Sequence, residues 1–544
     1  MTMDPTAADT LSSIARDWAI ALTERRSVTG TDDEKSFGPW LAKVLGERPP
    51  FDRAKIWTIE VEPGDGRHCV AMLVPGAGRG TVVLTGHYDT VSTRDYGDLE
   101  ALATQPAKVT PALASSLVGV ETDQGNLART DLETGQFLAG RGLLDMKAGL
   151  AAGLAVCNVF ANGGGTAGNL LFLAVPDEEN NSAGARKAVQ MLPALEREHD
   201  LQILAAINLD AIADDGDGSK GRVIALGTVG KLLPTAFVVG IPTHSGFPLN
   251  GLNAATIAAA IAARLEWAAE LTETSQMLSA TPPSLLSIRD GKAAYDVTTP
   301  ATAFATFNVL SYRRAPHEVL ARFDQLCLEA ARGCLEALAR RPTDGSASRG
   351  GRSISLYRYE AVVDRLDIED RSRLAEVTAD LARVDLPLSE QCRLATQEAW
   401  RLSRLSGPAI VTGFGSMPYL ATSLSDAPGA RRLKTIVKRL ATESAALYGT
   451  TITCTDYFAG ISDMSFFGEV AADGLDIVGR NTPLWTQGVR WPKTHALANI
   501  PTINIGPWGR DYHTPLERLH IGYAFDVLPR VLSDVCAALL ANES

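Results

Sequence analysis

The stretch Thr81-Val-Val-Leu-Thr-Gly86-His87-Tyr88-Asp89 decides the fold class: an apolar run of strand length that stops at a glycine and opens into polar residues. Two further runs repeat the pattern. Leu170 to Val175 is stopped by Pro176, and Ile203 to Leu209 ends at Asp210. Between them, Ala148 to Phe160 and Ala183 to Leu195 read as helices. Continuous apolar runs of this length, separated by helices, are the pattern of buried parallel strands. The class is therefore α/β, with a mostly parallel central sheet flanked by helices, and ligands of such sheets sit beyond the carboxyl ends of the strands.

Further along, the texture changes. Leu232 to Val239 reads as a strand, Asn253 to Glu270 as a helix, Thr302 to Tyr312 as a strand and His317 to Ala339 as a helix. Two strand-then-helix units predict a small inserted α+β domain over 230–340. The glycine-bearing stretch Arg341 to Arg352 reads as the linker back. Short strands at Ala409 to Thr412 and Thr502 to Ile505 then suggest a return to the first sheet. The expected catalytic domain is thus discontinuous, 1–229 and 341–544.

The 544 residues carry 51 basic and 63 acidic side chains, for a formal net charge of −12. Hydrophobic residues make up 45% and charged residues 21%, a globular mix that excludes wholesale disorder and a disulfide miniprotein. No lysine- or arginine-rich stripe occurs, so neither nucleic acid nor an anionic membrane is expected as a partner. No segment reaches the roughly 18 uninterrupted apolar residues of a membrane span; the most apolar helical stretch, Ala254 to Ala263, is closed by Arg264. The N-terminus lacks a basic start followed by an apolar core, and reads as an amphipathic helix rather than a secretory signal. Seven scattered cysteines without a CxxC pair read as buried free thiols, which points to the cytoplasm.

Chemistry-bearing clusters lie where the elements end: Gly86-His87-Tyr88-Asp89, Gly140-Arg-Gly-Leu-Leu-Asp145-Met-Lys147, Pro176-Asp-Glu178-Glu179, Asn208-Leu-Asp210 and Gly506-Pro-Trp-Gly-Arg-Asp-Tyr-His513. Singly they are weak. A lone histidine is more often a satisfied, partly buried side chain, paired glutamates after a strand suit a solvated helix start, and Asp145 could cap a helix. Together, histidines and carboxylates at one sheet edge form an oxygen–nitrogen ligand set suited to Zn²⁺. One shared carboxylate would let it hold two ions about 3.5–4 Å apart.

The series HYDTV, GRGLLDMK, PDEENNSAG, NLD and GPWGRDYHTPLE resembles the motif series of the co-catalytic zinc exopeptidase and amidohydrolase family, which includes aminoacylase, carboxypeptidase G, acetylornithine deacetylase and succinyl-diaminopimelate desuccinylase. The long segment after HYDTV, with Asp95-Tyr96-Gly97, the string Gly230-Lys-Leu-Leu-Pro234 and the chain length are similar to the arginine-utilisation branch of that family. The resemblance implies a zinc-exopeptidase-like catalytic domain and an inserted lid or dimerisation domain. It implies two Zn²⁺ per chain, with Mn²⁺ or Co²⁺ able to substitute, held by His87, Asp145, Glu179, Asp210 and His513. Asp145 would bridge the ions, Asp89 would orient His87, and Glu178 would be the general base of an amide hydrolysis by a metal-bridged water. The bond after Asp145 is expected to be cis.

In the inserted domain, His244 of Pro242-Thr-His244-Ser-Gly-Phe-Pro248 matches the histidine that stabilises the oxyanion in this family. It acts in cis or from a partner subunit, and its alternative is a surface-loop histidine. Asn253 matches a substrate-contacting asparagine, or it caps the helix it precedes. Arg313-Arg314 resembles the arginine that clamps a substrate carboxylate; strand alternation puts only one of the two on the substrate face. Asp463, in Gly460-Ile-Ser-Asp463, is either near the metals or capping a turn.

The expected substrate is a small molecule, an N-acyl amino acid or small peptide, with a link to arginine catabolism. In that case Asp95, Asp98 and Glu100 are candidate contacts for a basic group, or simply a solvated acidic loop. A dipeptidase or carboxypeptidase is the enzyme alternative, and a non-catalytic metal-binding sensor or scaffold the other class. A homodimer through the inserted domain is expected. The long Asp89–Asp145 spacing and the segment around 353–426 depart from the family pattern and bear on specificity.

Overall fold

The computed structural model describes residues 5–163, 167–273, 281–341, 353–458, 460–470, 474–491 and 498–541. The chain forms two compact units: Met1–Thr228 with Thr422–Glu469 and Pro492–Ser544, and Val229–Ala421 with Val470–Trp491.

In the first unit, an eight-stranded sheet has the strand Ala77–His87 near its middle. It pairs in parallel with Ala167–Val175 on one side and Gln202–Asn208 on the other, and Thr502–Asn504 extends the parallel set beyond Gln202–Asn208. Antiparallel hairpin strands Lys55–Glu60 and His68–Val74 flank the Ala167–Val175 side. The Val82-Val83-Leu84 and Leu170–Val175 side chains are all buried, which is why these runs carry no polar alternation. The helix Ala148–Asn162 is buried from Ala148 to Asn158. The stretch Leu143–Asn162 is long and apolar enough to cross a membrane by composition alone, with mean hydropathy 1.5, yet 89% of it is buried inside the fold. Its hydropathy is that of a core helix.

Register places the motif residues on one edge. His87 lies opposite Val175, Thr85 opposite Asn208, and Asn504 opposite Asn208, so the chain after each strand emerges at the same carboxyl end of the sheet.

The second unit is built on the strand Thr302–Ser311, which pairs antiparallel with Gly230–Leu232, Pro234–Val239 and Ser284–Asp290. Helices Ala254–Leu265 and Pro316–Ala339 cover this sheet through Ile257, Ile261, Phe323 and Leu326. Here the expected domain boundary is displaced. Ala409–Phe414 does not rejoin the first sheet: it pairs with Pro234–Val239 and, in parallel, with Ser355–Arg358. The backbone hydrogen bonds of these late strands are spent in the second sheet, so the second unit runs on to Ala421 rather than ending near 340. Thr502–Asn504 does return to the first sheet, as does Thr453–Thr455, which pairs with Val223–Ala225, and the unit is discontinuous. The linker read at Arg341 to Arg352 falls on 342–352, outside the described residues. All seven cysteines are free, five of them buried.

Candidate metal centre

His87 ends a parallel strand, Glu178, Glu179 and Asp210 stand in turns that follow parallel strands, and Asp145 stands where the chain enters a helix. His87 is the last residue of its strand. Asp145 follows Gly142, whose φ of 74° turns the chain into the helix, and its bond to Met146 is cis. Glu178 and Glu179 follow Asp177, a buried residue with φ 71°. Asp210 lies two residues beyond its strand, where Asn504 brackets its backbone: Nδ2 donates to the Asp210 carbonyl at 2.8 Å and Oδ1 accepts its N–H at 3.0 Å. Gly506 permits this approach, because a Cβ there would stand 1.8 Å from the Asp210 carbonyl oxygen.

Among the described residues, two groups could hold a metal ion: His87 with Asp145 and Asp210, and Asp145 with Glu179 and His513. Asp145 belongs to both. Its Oδ1 is 3.1 Å from His87 Nε2 and its Oδ2 is 3.0 Å from His513 Nε2. His513 Nε2 is 3.1 Å from Glu179 Oε1, and His87 Nε2 is 3.8 Å from Asp210 Oδ1. Ligands of a tetrahedral zinc, bonded at about 2.0–2.2 Å, stand about 3.5 Å apart. Glu178 belongs to neither group, though its Oε2 is 3.9 Å from His87 Nε2.

The donor set fits divalent cations. His87 Nδ1 lies 3.0 Å from the Asp89 main-chain oxygen, so its proton belongs there and the Nε2 lone pair faces the Asp145 and Asp210 carboxylates. Burial raises the Asp210 carboxyl well above the ordinary range, and Asp145 beside it adds to the effect. Burial does the same to Glu178, reinforced by Asp210, Asp463 and Glu179 against the pull of His87. For Asp145, burial opposes ionisation, but hydrogen bonds to His513 and His87 outweigh it and hold the carboxyl well below the usual range. Burial works against charging His513, yet Asp145 and Glu179 raise it to about 10. So many buried carboxylates around two imidazoles lack sufficient positive charge without a cation.

Asp89 does more than the sequence suggests. Its main-chain oxygen, not its carboxylate, is the close partner of His87; the carboxylate lies 3.6 Å from Nδ1. The carboxylate instead accepts the N–H groups of Glu178 and Glu179 and the Thr29 hydroxyl. Asp463 is buried, and burial with the nearby charges of Asp89 and Asp177 lifts it to about 7 despite His87. Asp177 pairs with Arg67 and accepts the Ala183 N–H. Asp95 pairs with Arg141, and Glu100 accepts the Thr93 hydroxyl, so the candidate basic-group contacts are largely committed elsewhere.

His244, Asn253, Arg313 and Arg314 lie in the second unit. His244 is exposed, and its Nδ1 accepts the Gly246 N–H at 3.0 Å. Asn253 Oδ1 accepts the Ala255 N–H at 2.9 Å, so it does cap its helix. Arg313 is exposed; Arg314 is half-buried and donates from Nη1 to the Glu270 carbonyl. Sequence reading overlooks Tyr512, whose phenol is pushed up to about 12 by burial and by the Asp145, Asp210, Glu179 and Glu178 charges. It also overlooks Glu517. Neither type has a spacing that marks it.

A family model described as Peptidase family M20/M25/M40 matches residues 119–484. Protein YqjN of Bacillus subtilis, described as uncharacterized, is 31% identical over 532 residues, covering 96% of this chain and 95% of that protein. Protein RocB of the same organism is 30% identical over 540 residues, covering 96% and 94%. Succinyl-diaminopimelate desuccinylase 2 of Shewanella loihica is 30% identical over 251 residues, 46% of this chain and 57% of that enzyme. Among solved structures, aminopeptidase PepT from Bacillus cereus shares the fold with a TM-score of 0.52 at 15% identity, covering 97% of this chain and 98% of its own. The chain belongs to peptidase family M20/M25/M40 and is a metal-dependent hydrolase of amide bonds.

Proposed function

We propose that this enzyme hydrolyses the amide bond of an N-acyl amino acid or small peptide at a two-zinc centre. The observation that carries the reading is the pair of ligand groups sharing Asp145, with Glu178 3.9 Å from His87 and part of neither. Zinc bound there supplies Lewis acidity toward the scissile carbonyl and acidifies water. His87 and Asp210 would hold one ion and Glu179 and His513 the other, with Asp145 available to both. Glu178, its N–H fixed by Asp89, takes the proton of the attacking water and returns it to the leaving nitrogen. Because His244 Nδ1 accepts from Gly246, the neutral ring carries its proton on Nε2, the donor an oxyanion requires. One of Arg313 and Arg314 is assigned to the substrate carboxylate, since strand alternation turns only one of two adjacent side chains to the substrate face.

The desuccinylase relative, whose name denotes removal of an N-acyl group, supports a deacylase over a peptidase. The arginine link rests on the likeness to RocB and gains nothing from Asp95, which is committed to Arg141. Turnover of N-acyl-arginine, N-acyl-glutamate, N-acyl-leucine and a dipeptide panel, with metal supplied, tests the reading. Faster dipeptide cleavage overturns the deacylase assignment, no turnover of any amide favours a sensor, and equal rates on acidic or apolar acyl amino acids remove the arginine link.

We also propose a homodimer through the second unit. Its strand Ser284–Asp290 has one strand partner among the described residues and exposes Leu286 and Ile288, with Tyr295 and Val297 in the turn beyond. An apolar edge of this kind invites pairing with another strand. A monomer by light scattering, or a dimer unaffected by Leu286→Lys and Ile288→Lys together, overturns this.

A further inference from the structure

Segment 94–136 occupies the long interval between the first two motifs, where the sequence leaves its role open. It contains the helices Pro106–Ser116 and Asp123–Glu133. Two of its carboxylates, Asp95 and Asp131, face two buried arginines. Asp95 pairs with Arg141 Nη2, while Arg141 Nη1 donates to Glu517 Oε2 at 2.9 Å and its Nε to the Ser92 carbonyl. The other oxygen of Glu517 accepts the main-chain N–H groups of Leu144 and Asp145, at 3.2 and 3.4 Å. The next residue, Arg518, is fully buried; its Nε donates to Asp131 at 2.8 Å and its Nη1 to Asp511. Gln124 donates to the second Asp511 oxygen. The Asp511 carbonyl in turn accepts the Thr514 N–H and hydroxyl, closing the turn that carries His513.

We propose that Glu517 and Arg518 are positioning residues that register Asp145 and His513 to one another, and that segment 94–136 serves as their buttress through Asp95, Gln124 and Asp131. The inference rests on Asp145 and His513 being metal ligands. Two adjacent residues, Glu517 and the first residue of the strand Arg518–His520, reach the two carriers, so a shift of this point of the chain moves both ligands together. Glu517 spends one oxygen on Arg141 and the other on the backbone that presents Asp145, which a simple ion pair would not require. Arg518 shares its guanidinium between the buttress and the His513 turn in the same way.

The test measures zinc affinity of the full chain by chelator competition, alongside the unfolding temperature of metal-free protein. In an Arg141→Met background, which leaves no buried arginine unpaired, Glu517→Gln keeps an acceptor for the Asp145 N–H and Glu517→Leu does not. The expected result is affinity within about threefold of the background for Gln, and a loss of about 10–100-fold for Leu, the usual cost of removing a ligand's outer partner. Asp131→Asn, which preserves shape, is expected to weaken one of the two ions and serves if the Leu variant fails to fold. Equal zinc affinity in the Gln and Leu variants, or unchanged affinity in Asp131→Asn with only a lower unfolding temperature, makes the network structural and overturns the proposal. His513→Ala and Asp145→Asn are the controls. If these bind zinc like wild type, the ligand reading itself has failed and the proposal falls with it. If they lose zinc while the positioning variants do not, the positioning proposal alone is overturned.

Discussion

Asp89 Oδ1 accepts the main-chain N–H of Glu178 at 3.1 Å, tying the turn after one strand to the turn after its neighbour. The same residue holds His87 through its backbone carbonyl and Glu179 through Oδ2. One side chain thus fixes the backbone of the proposed base and of a candidate ligand, while its own main chain fixes the His87 imidazole. Replacing Asp89 by Asn keeps one acceptor and puts an NH₂ against an N–H. Activity is expected to fall about 10–100-fold, with zinc affinity weakened on a similar scale. Kinetics and chelator titration of Asp89→Asn check this; wild-type values for both would leave Asp89 without a role at the centre.

Glu178→Gln is expected to retain both ions and the fold while losing activity by about 10²–10⁴ or more, since the amide cannot take the water's proton. Gln matches Glu in size, and Glu178 belongs to neither candidate ligand group, so metal content should not change. Single-turnover kinetics with bound metal quantified in the same sample is the measurement. A variant within tenfold of wild type moves the base elsewhere, and Asp177, held by Arg67 and Ala183, is poorly suited to replace it.

Much of this centre was legible because His87 ends a strand and Glu178, Glu179 and Asp210 follow closely on others, and those strands announce themselves by their apolar runs. His87, Asp145, Glu178, Glu179, Asp210 and His513 come together on geometry that five sequence segments already imply. What a run of valines and leucines does not encode is its partner. Ala409–Phe414 has the composition of any buried strand, and its pairing with Pro234–Val239 rather than with the first sheet depends on residues 170 to 180 positions away in the chain, far outside the window of about 11–18 residues that local pattern reads. The Arg141–Glu517 pair spans 376 positions and joins two residue types usually found on the surface. Only the fold shows that both are buried.

Two zinc ions per chain are expected at saturation, because the two ligand groups offer five protein side chains, more than one tetrahedral ion uses. Removing metal with a chelator should abolish turnover, and Mn²⁺ or Co²⁺ should restore part of it, since no ligand is a thiolate. Asp145→Asn should weaken both ions, whereas Asp210→Asn and His513→Ala should each weaken one. Metal analysis giving at most one ion per chain after loading, or equal losses in all three variants, would contradict the shared-carboxylate arrangement.

Glu34 lies within electrostatic reach of Asp89 and Asp177. Its side chain is buried, with Oε2 accepting the Gly30 N–H and Oε1 unpartnered. Burial raises its carboxyl from 4.5 to about 8, helped by repulsion from Asp89 and Asp177 and opposed by the Gly30 N–H and Arg67. The folded state therefore holds a proton that the unfolded chain releases near pH 4.5. The stability from this group is fully present below that pH, declines as pH rises, and is lost by about pH 8, where the folded form ionises too. Glu34→Gln is neutral in both states and escapes the decline. In metal-free protein, the difference in unfolding temperature between Glu34→Gln and wild type should be constant below about pH 4.5, move in favour of the variant by a few degrees up to about pH 8, and then level off. A difference that stays flat from pH 4 to 9 would mean that Glu34 is ionised in the folded protein, with Arg67 rather than burial deciding its charge.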